Sequence, residues 1–357
     1  MSLSHESMIR CFDSVYLLHV VSQCIGRWID PTRFRPLFEP FQELVAASAG
    51  TTACELQLRQ SSEFRSAVES WFPTAVRRDV TFWALLWTEL HNSADAFKPL
   101  RTAASSRATP EFIGSAAHRN LNAIVCAGGS VVLVTDHRFP RLLRHIGDYP
   151  LALTILGDPA QLAGRAVACV GSRAASARAL AGSVAVGRAF AGHKCNVVSG
   201  GAFGCDIAVH RGLLSIPGSG SQIVIVFAGG LSSLYPRGNA RWFAEIFAGG
   251  GVFVSERLWW APAHMRDFPV RNRIVAGMAD TTVVLEAAER SGALVTARIA
   301  LDQGRDVLVY RPVERDDRML GGAKLVDDGA TQFDSDAELM ELLELHPPVN
   351  AAQSAEA

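Results

Sequence analysis

From about residue 121 the hydrophobic positions fall into short β-branched runs separated by alanine-rich, helix-compatible segments. The runs are VVLVT (131–135), AVACV (166–170), NVVS (196–199), IVIVF (223–227), GVFVS (251–255), TTVVLE (281–286) and DVLVY (306–310). Apolar runs of this kind, alternating with helices, predict an α/β fold with a mainly parallel sheet covered by helices on both faces. The first hundred residues carry a different rhythm. In DVTFWALLWTELH, residues Trp83, Leu86, Trp87 and Leu90 recur at i, i+3, i+4 and i+7, one face of a helix. Trp28 and Trp71 lie in the same region. The spacing is that of a buried stripe, which favours the core of a small helical domain over an aromatic platform for bases. The small, polar stretch RTAASSRATP (101–110) reads as a linker. The expected organisation is therefore a helical N-terminal domain over residues 1–112, the α/β domain over 113–345 and a disordered tail over 346–357.

Composition narrows the function classes. With 49% hydrophobic and 19% charged residues, the 357-residue chain can bury a large core. Lys and Arg number 34 against 35 Asp and Glu, a net charge of −1. That excludes a generally basic nucleic-acid binder and confines any such site to a local patch. The seven cysteines include no CxxC pair, which argues for reduced thiols and against a disulfide framework or zinc site. Arg10, Asp13, His19 and Gln23 interrupt the apolar stretch from Met8 to Ile29, too often for a membrane span. No signal peptide is read, so a soluble, cytoplasmic protein is expected.

In an open parallel sheet, ligands bind beyond the carboxyl ends of the strands, and the unusual residues of this chain collect there. Gly171-Ser172-Arg173 follows the 166–170 run, and Gly200-Gly201-Ala202-Phe203-Gly204 follows the run ending in Ser199. AGGLSSLYP follows 223–227, Glu256 follows 251–255, and Ser291-Gly292 follows 281–286. Glycines at such points let the backbone turn and offer N–H groups to an anion at a helix N-terminus, and Arg173 adds a planar fork suited to phosphate. The ligand class implied is a nucleotide or a nucleic-acid backbone. Neither GSRAAS nor GGAFG fits the G-x-G-x-x-G dinucleotide fingerprint, and no GxxxxGK[ST] loop occurs, so no NAD or ATP cofactor is expected.

Other candidates have two readings each. In FPVRNRIVAGMAD (268–280), Arg271, Ile274, Val275 and Met278 can share one helix face, with Arg273 pointing elsewhere. Arg271, Asn272 and Arg273 could contact phosphate, or the arginines could pair with Glu256 or Glu286. Asp206 and His210 stand at i and i+4. They suit either an acid/base or metal pair, or a mutual hydrogen bond locking a helix to the sheet. The second is favoured, because no second His/Asp cluster and no obvious nucleophile accompany them. Glu286 is read likewise, and Ser291 reads as a helix N-cap.

Taken in order, the segments VGSR (170–173), SGGAFGCDIAVH (199–210), AGGLSSLYP (228–236), SE (255–256), FPVRNRIVAG (268–277), LEAAERSGALVTA (285–297) and GRDV (304–307) closely resemble the DprA/Smf family of DNA-processing proteins. HRFPRLLRHIGDYPLALTILGD (137–158) resembles the family's lead-in and GGAKLVDDGA (321–330) its end, so the likeness covers residues 121–335. It implies an extended Rossmann-like domain that binds single-stranded DNA, has no catalytic residues, forms a homodimer, and hands the strand to the RecA recombinase during natural transformation. By the same resemblance the DNA pocket uses Gly171, Ser172 and Arg173, the loop Ser199, Gly200, Gly201, Phe203 and Gly204, and the segment Arg271, Asn272 and Arg273. Three departures stand out. Phe203 replaces a common Lys or Arg, and Arg311-Pro312 replaces the usual Pro-Gly. The flanking regions resemble neither the family's N-terminal helical domain nor its winged helix, which suits a divergent paralogue. Two other functions stay open: a nucleotide-processing hydrolase of the lonely-guy type, although AGGLSSLYP lacks its threonine turn, and a DNA- or nucleotide-sensing interaction protein.

Overall fold

The computed structural model describes residues 119–134, 136–311 and 317–344; the helical domain expected over 1–112, the tail over 346–357 and Pro312 lie outside the described residues. Two strands open the fold, β1 (Ser130–Leu133) and β2 (Ala152–Leu156). Then β3 (Ala166–Val170) leads to helix α1 (Ala177–Phe190), β4 (Asn196–Ser199) to α2 (Cys205–Leu214), and β5 (Ile223–Phe227) to α3 (Ala240–Ala248). The chain continues through β6 (Val252–Ser255), α4 (Asp267–Gly277), β7 (Thr281–Val284), α5 (Gly292–Asp302) and β8 (Asp306–Tyr310). Helix α6 (Leu320–Asp327), β9 (Thr331–Phe333) and α7 (Asp336–Leu342) complete it. The elements that build the site belong to one compact unit, residues 126–132, 138–149 and 153 onward.

The nine strands form one sheet in the order β1-β2-β6-β5-β4-β3-β7-β8-β9. Every pairing from β6 across to β9 is parallel, while β2 runs antiparallel to β6. The chain builds β3 to β6 outward on one side and β7 to β9 outward on the other. Order therefore reverses between β3 and β7, the switch point at which doubly wound sheets take their ligands. The register sets Val170 opposite Val284 and Phe227 opposite Ser255, so the carboxyl ends form a common rim.

The uninterrupted apolar runs have a direct cause. Val167, Cys169, Val197, Ile223 and Ile225 pack into a cluster with Phe190 of α1, Leu213 of α2 and Phe243 of α3. The intervening Ala168, Val198, Val224 and Val226 are equally buried, so both faces of the sheet are covered. Four of the expected runs form strands at their stated bounds, and three are shorter by one or two residues. Strands β2 and β9 lie outside the expected runs. Among the described residues no helix is long and apolar enough to cross a membrane, and no three His, Cys, Asp or Glu cluster as a metal site. Cys169, Cys195 and Cys205 are free and buried; burial pushes the thiols of Cys195 and Cys205 up to about 12.

Candidate nucleic-acid interface

The loop after β4 is held from beneath. Ser199 Oγ accepts the Gly201 N–H at 3.0 Å and lies 2.7 Å from His210 Nε2. One oxygen of Asp206 accepts the N–H groups of Gly200 (3.1 Å) and Ala202 (3.2 Å), and Asn239 donates to the Gly201 carbonyl at 3.0 Å. Asp206 and His210 thus bond separately, Asp206 to the loop and His210 to the strand end, instead of making the mutual bond the sequence suggested. Asp206 stands in the first turn of α2, where the preceding N–H groups converge, and His210 reaches the strand end one turn later. Burial pushes the imidazole down to about 3, so His210 is neutral. Burial also raises the Asp206 carboxyl, against the pull of Arg271 and the two backbone donors.

Gly204 joins this loop to the one after β3. Its φ of +78° is open to glycine, and a Cβ there would collide with the Ser172 carbonyl oxygen. That oxygen accepts the Cys205 N–H at 3.1 Å, so Gly171, Ser172 and Arg173 ride on the start of α2.

The three candidate arginines separate sharply. Arg271 is buried: Nη1 donates to the carbonyls of Gly200 (2.9 Å) and Val226, and Nε to Asn272 Oδ1 (3.2 Å). A Cβ on Gly200 would lie 2.5 Å from its Nη2, which explains the glycine. Burial pushes this guanidinium down to about 10, still charged at neutral pH. Arg273 is buried as well, donating to both oxygens of Glu256 at 2.7 and 2.8 Å, with Nε 3.1 Å from Asp148. Of the pairings the sequence allows, Arg273 with Glu256 is therefore present.

Arg173 differs from both. It is exposed and makes no hydrogen bond or ion pair among the described residues. Its guanidinium carbon lies 5.2 Å from the ring centroid of Phe268, the ring that Arg271 approaches at 6.0 Å from within. Tyr235, 49% exposed, packs on Phe268 at 5.6 Å between centroids. Phe203, 45% exposed, rests against Gly238, where an added Cβ would meet the ring at 2.8 Å. Arg173 thus stands as an open cation near the accessible rings of Phe268 and Tyr235.

The loop after β4 does not offer most of its N–H groups to a ligand as expected. Those of Gly200, Gly201, Ala202 and Cys205 are engaged inside the fold. At α1 the Ser176 N–H points at both oxygens of Glu286, 3.2 Å each, and Ser176 Oγ caps Ala179. The protein's own carboxylate thus occupies the helix N-terminus where a dinucleotide phosphate sits in related folds. Ser291 caps α5 through Leu294, as expected, and Gly292 is exposed. Asn239, Tyr235 and Phe268 carry no motif of their own; the signal for the two rings is an aromatic directly before a proline, Tyr235 in the loop after β5 and Phe268 in the first turn of α4.

Known proteins share this architecture. The family model for DNA recombination-mediator protein A matches residues 130–344. Protein Smf of Escherichia coli (strain K12) is 30% identical over 262 residues, 72% of this chain and 69% of that protein. The DNA processing protein DprA of Bacillus subtilis (strain 168) is 31% identical over 225 residues, 60% and 72% of the two chains. Among solved structures, DprA from Streptococcus pneumoniae aligns with a TM-score of 0.57 and 25% identity over 80% of this chain and 98% of that one. DNA processing protein A from Helicobacter pylori, a structure concerned with that protein's single-stranded DNA binding mode, shares the fold at a TM-score of 0.54 and 23% identity, over 61% and 97%. With the switch-point rim, the motifs in order and this match over most of the described residues, the chain belongs to the DNA recombination-mediator protein A family, that of the DprA and Smf DNA-processing proteins.

Proposed function

We propose that the carboxyl rim of the sheet binds single-stranded DNA, and that the chain is a non-enzymatic mediator that protects the strand and, as a homodimer, passes it to the RecA recombinase. The observation that carries the reading is Arg173, an exposed guanidinium with open donors, stacked on Phe268 at the switch point. Its fork suits a phosphate, and Phe203, Tyr235 and Phe268 offer faces to unpaired bases. Bases stacked within a duplex cannot reach those faces, so single strands are preferred. Gly171, Ser172 and Gly204 set the height of Arg173; Ser199, Gly200 and Gly201 shape the floor; Arg271 holds it from below with Asn272 beside it, and Arg273 ties α4 to Glu256. The closed Ser199–His210 bond and the engagement of Glu286 by Ser176 favour binding over chemistry. Phe203 in place of a basic residue makes the surface more dependent on stacking than on charge.

The test is fluorescence anisotropy on single-stranded and duplex oligonucleotides across a salt series. Single strands are expected to bind more tightly, with log affinity falling by about 0.7 per log unit of salt for each phosphate neutralised. Arg173→Ala is expected to weaken binding about tenfold while the melting temperature stays unchanged. Equal affinity for duplex, or full affinity in that variant, would overturn the reading.

A further inference from the structure

We propose that the strand leaves the rim along α2 and α3 and that a second phosphate grip, built from Arg211, Trp242 and Arg241, holds it there; this rests on the rim's binding single-stranded DNA. The guanidinium carbon of Arg211 lies 4.6 Å from the Trp242 ring centroid, and that of Arg241 lies 5.4 Å from it. Trp242 is half-buried and anchored against the core, so it is a fixed platform for two mobile side chains. Both arginines are exposed; Arg211 makes no ion pair among the described residues, and Arg241 pairs with Glu245 one turn along its own helix at 2.8 Å.

Two guanidinium groups on one indole repel each other until an anion lies between or beside them. The indole face limits their rotamers in advance, so a phosphate that joins them immobilises little that was free. Continuity with the rim identifies the phosphate's source. Helix α2 begins directly after Phe203 and Gly204, and α3 begins after the turn Arg237–Asn239 on which Phe203 rests. Arg241 therefore lies about one helical turn, roughly 5 Å, beyond the Phe203 contact at Gly238, and Arg211 about two turns beyond Gly204. Arg237 stands exposed between the two sites and adds a positive charge along the way. A strand stacked on Phe203 thus meets its next cations on these two helices. A mono- or dinucleotide held at Arg173 ends before reaching them.

The experiment compares labelled oligothymidylates of about two and about fifteen nucleotides on the full chain, by anisotropy across a salt series. For Arg211→Gln/Arg241→Gln the short oligomer is expected to bind within about twofold of the unaltered protein, and the long one about tenfold more weakly with a salt slope shallower by about 1. Trp242→Leu keeps an apolar foot but removes the platform, and is expected to show a smaller loss confined to the long oligomer. If that variant fails to fold, the double glutamine variant, altered at exposed positions only, still decides. Unchanged affinity for the long oligomer in the double variant, or an equal loss at both lengths, overturns the second grip. Arg173→Ala separates the two claims, because it weakens both lengths if the rim binds DNA. No binding of either length by the unaltered protein overturns the rim reading and the second grip together.

Discussion

The loop after β3 and the helix α4 each bring an arginine to the ring of Phe268, and the two residues do opposite things. Arg271 approaches from inside, with its donors closed onto the carbonyls of Gly200 and Val226 and its charge set against Asp206. Arg173 approaches from outside with every donor open. Charge and proximity to a glycine loop are the same in both cases. What distinguishes a strut from a ligand contact is whether the hydrogen-bonding capacity is already satisfied, because a buried cation persists only when its partners offset its desolvation.

The largest effect should come from removing the strut. Arg271→Ala leaves Asp206 buried without its counter-charge and removes the bonds to the Gly200 and Val226 carbonyls, and urea unfolding should show a loss of about 3–5 kcal/mol. A loss below about 1 kcal/mol would erase the distinction between the two arginines. Next comes acid. His210 titrates near 3 when folded against about 6.5 when unfolded, so the unfolded chain binds the extra proton between those values. Its contribution is fully present above about pH 6.5 and falls by about 1.4 kcal/mol for each unit below it, which denaturation at pH 7, 6 and 5 will measure and His210→Gln will flatten. Arg173→Ala should leave stability within about 0.5 kcal/mol while binding drops; a destabilised Arg173 variant would make it a second strut. The smallest change is a gain. Phe203→Lys adds an open cation to the rim and should steepen the salt slope by about 0.7, and an unchanged slope would place the strand away from this loop.

Much of this was legible in the chain because strands buried on both faces leave an unbroken apolar signature, and β3, β4, β5 and β8 form where it lies. Strand β9 spans three residues, two of them exposed, and so carries almost no hydrophobic signal. Strand β2 is buried, but ALTIL mixes Ala and Leu with only two β-branched residues, a short apolar run that a buried helix would carry equally well. The candidate site was readable in its residues and not in their roles. Arg271 and Arg273 flank Asn272, and Arg173 stands two residues after Gly171, so all three lie in polar or glycine-bearing motifs beyond strands. Their difference depends on carbonyls 71 and 45 residues away from Arg271 and on a carboxylate 17 away from Arg273. Partners at that separation are set by topology, which local pattern does not encode. Asn239 carries no local signal for the same reason: its bond to Gly201 spans 38 residues.

Glu286 at the head of α1 has a consequence for competition inside a crowded cell. Free nucleotides carry the same phosphates as DNA and outnumber any exposed strand. A helix N-terminus left open would collect them, but here a fixed negative charge stands in that place and turns single phosphates away. A polymer escapes this penalty because it can touch several modest contacts along the rim at once, each raising the effective concentration of the next. One buried carboxylate at this helix start thereby favours a long ligand over a single phosphate.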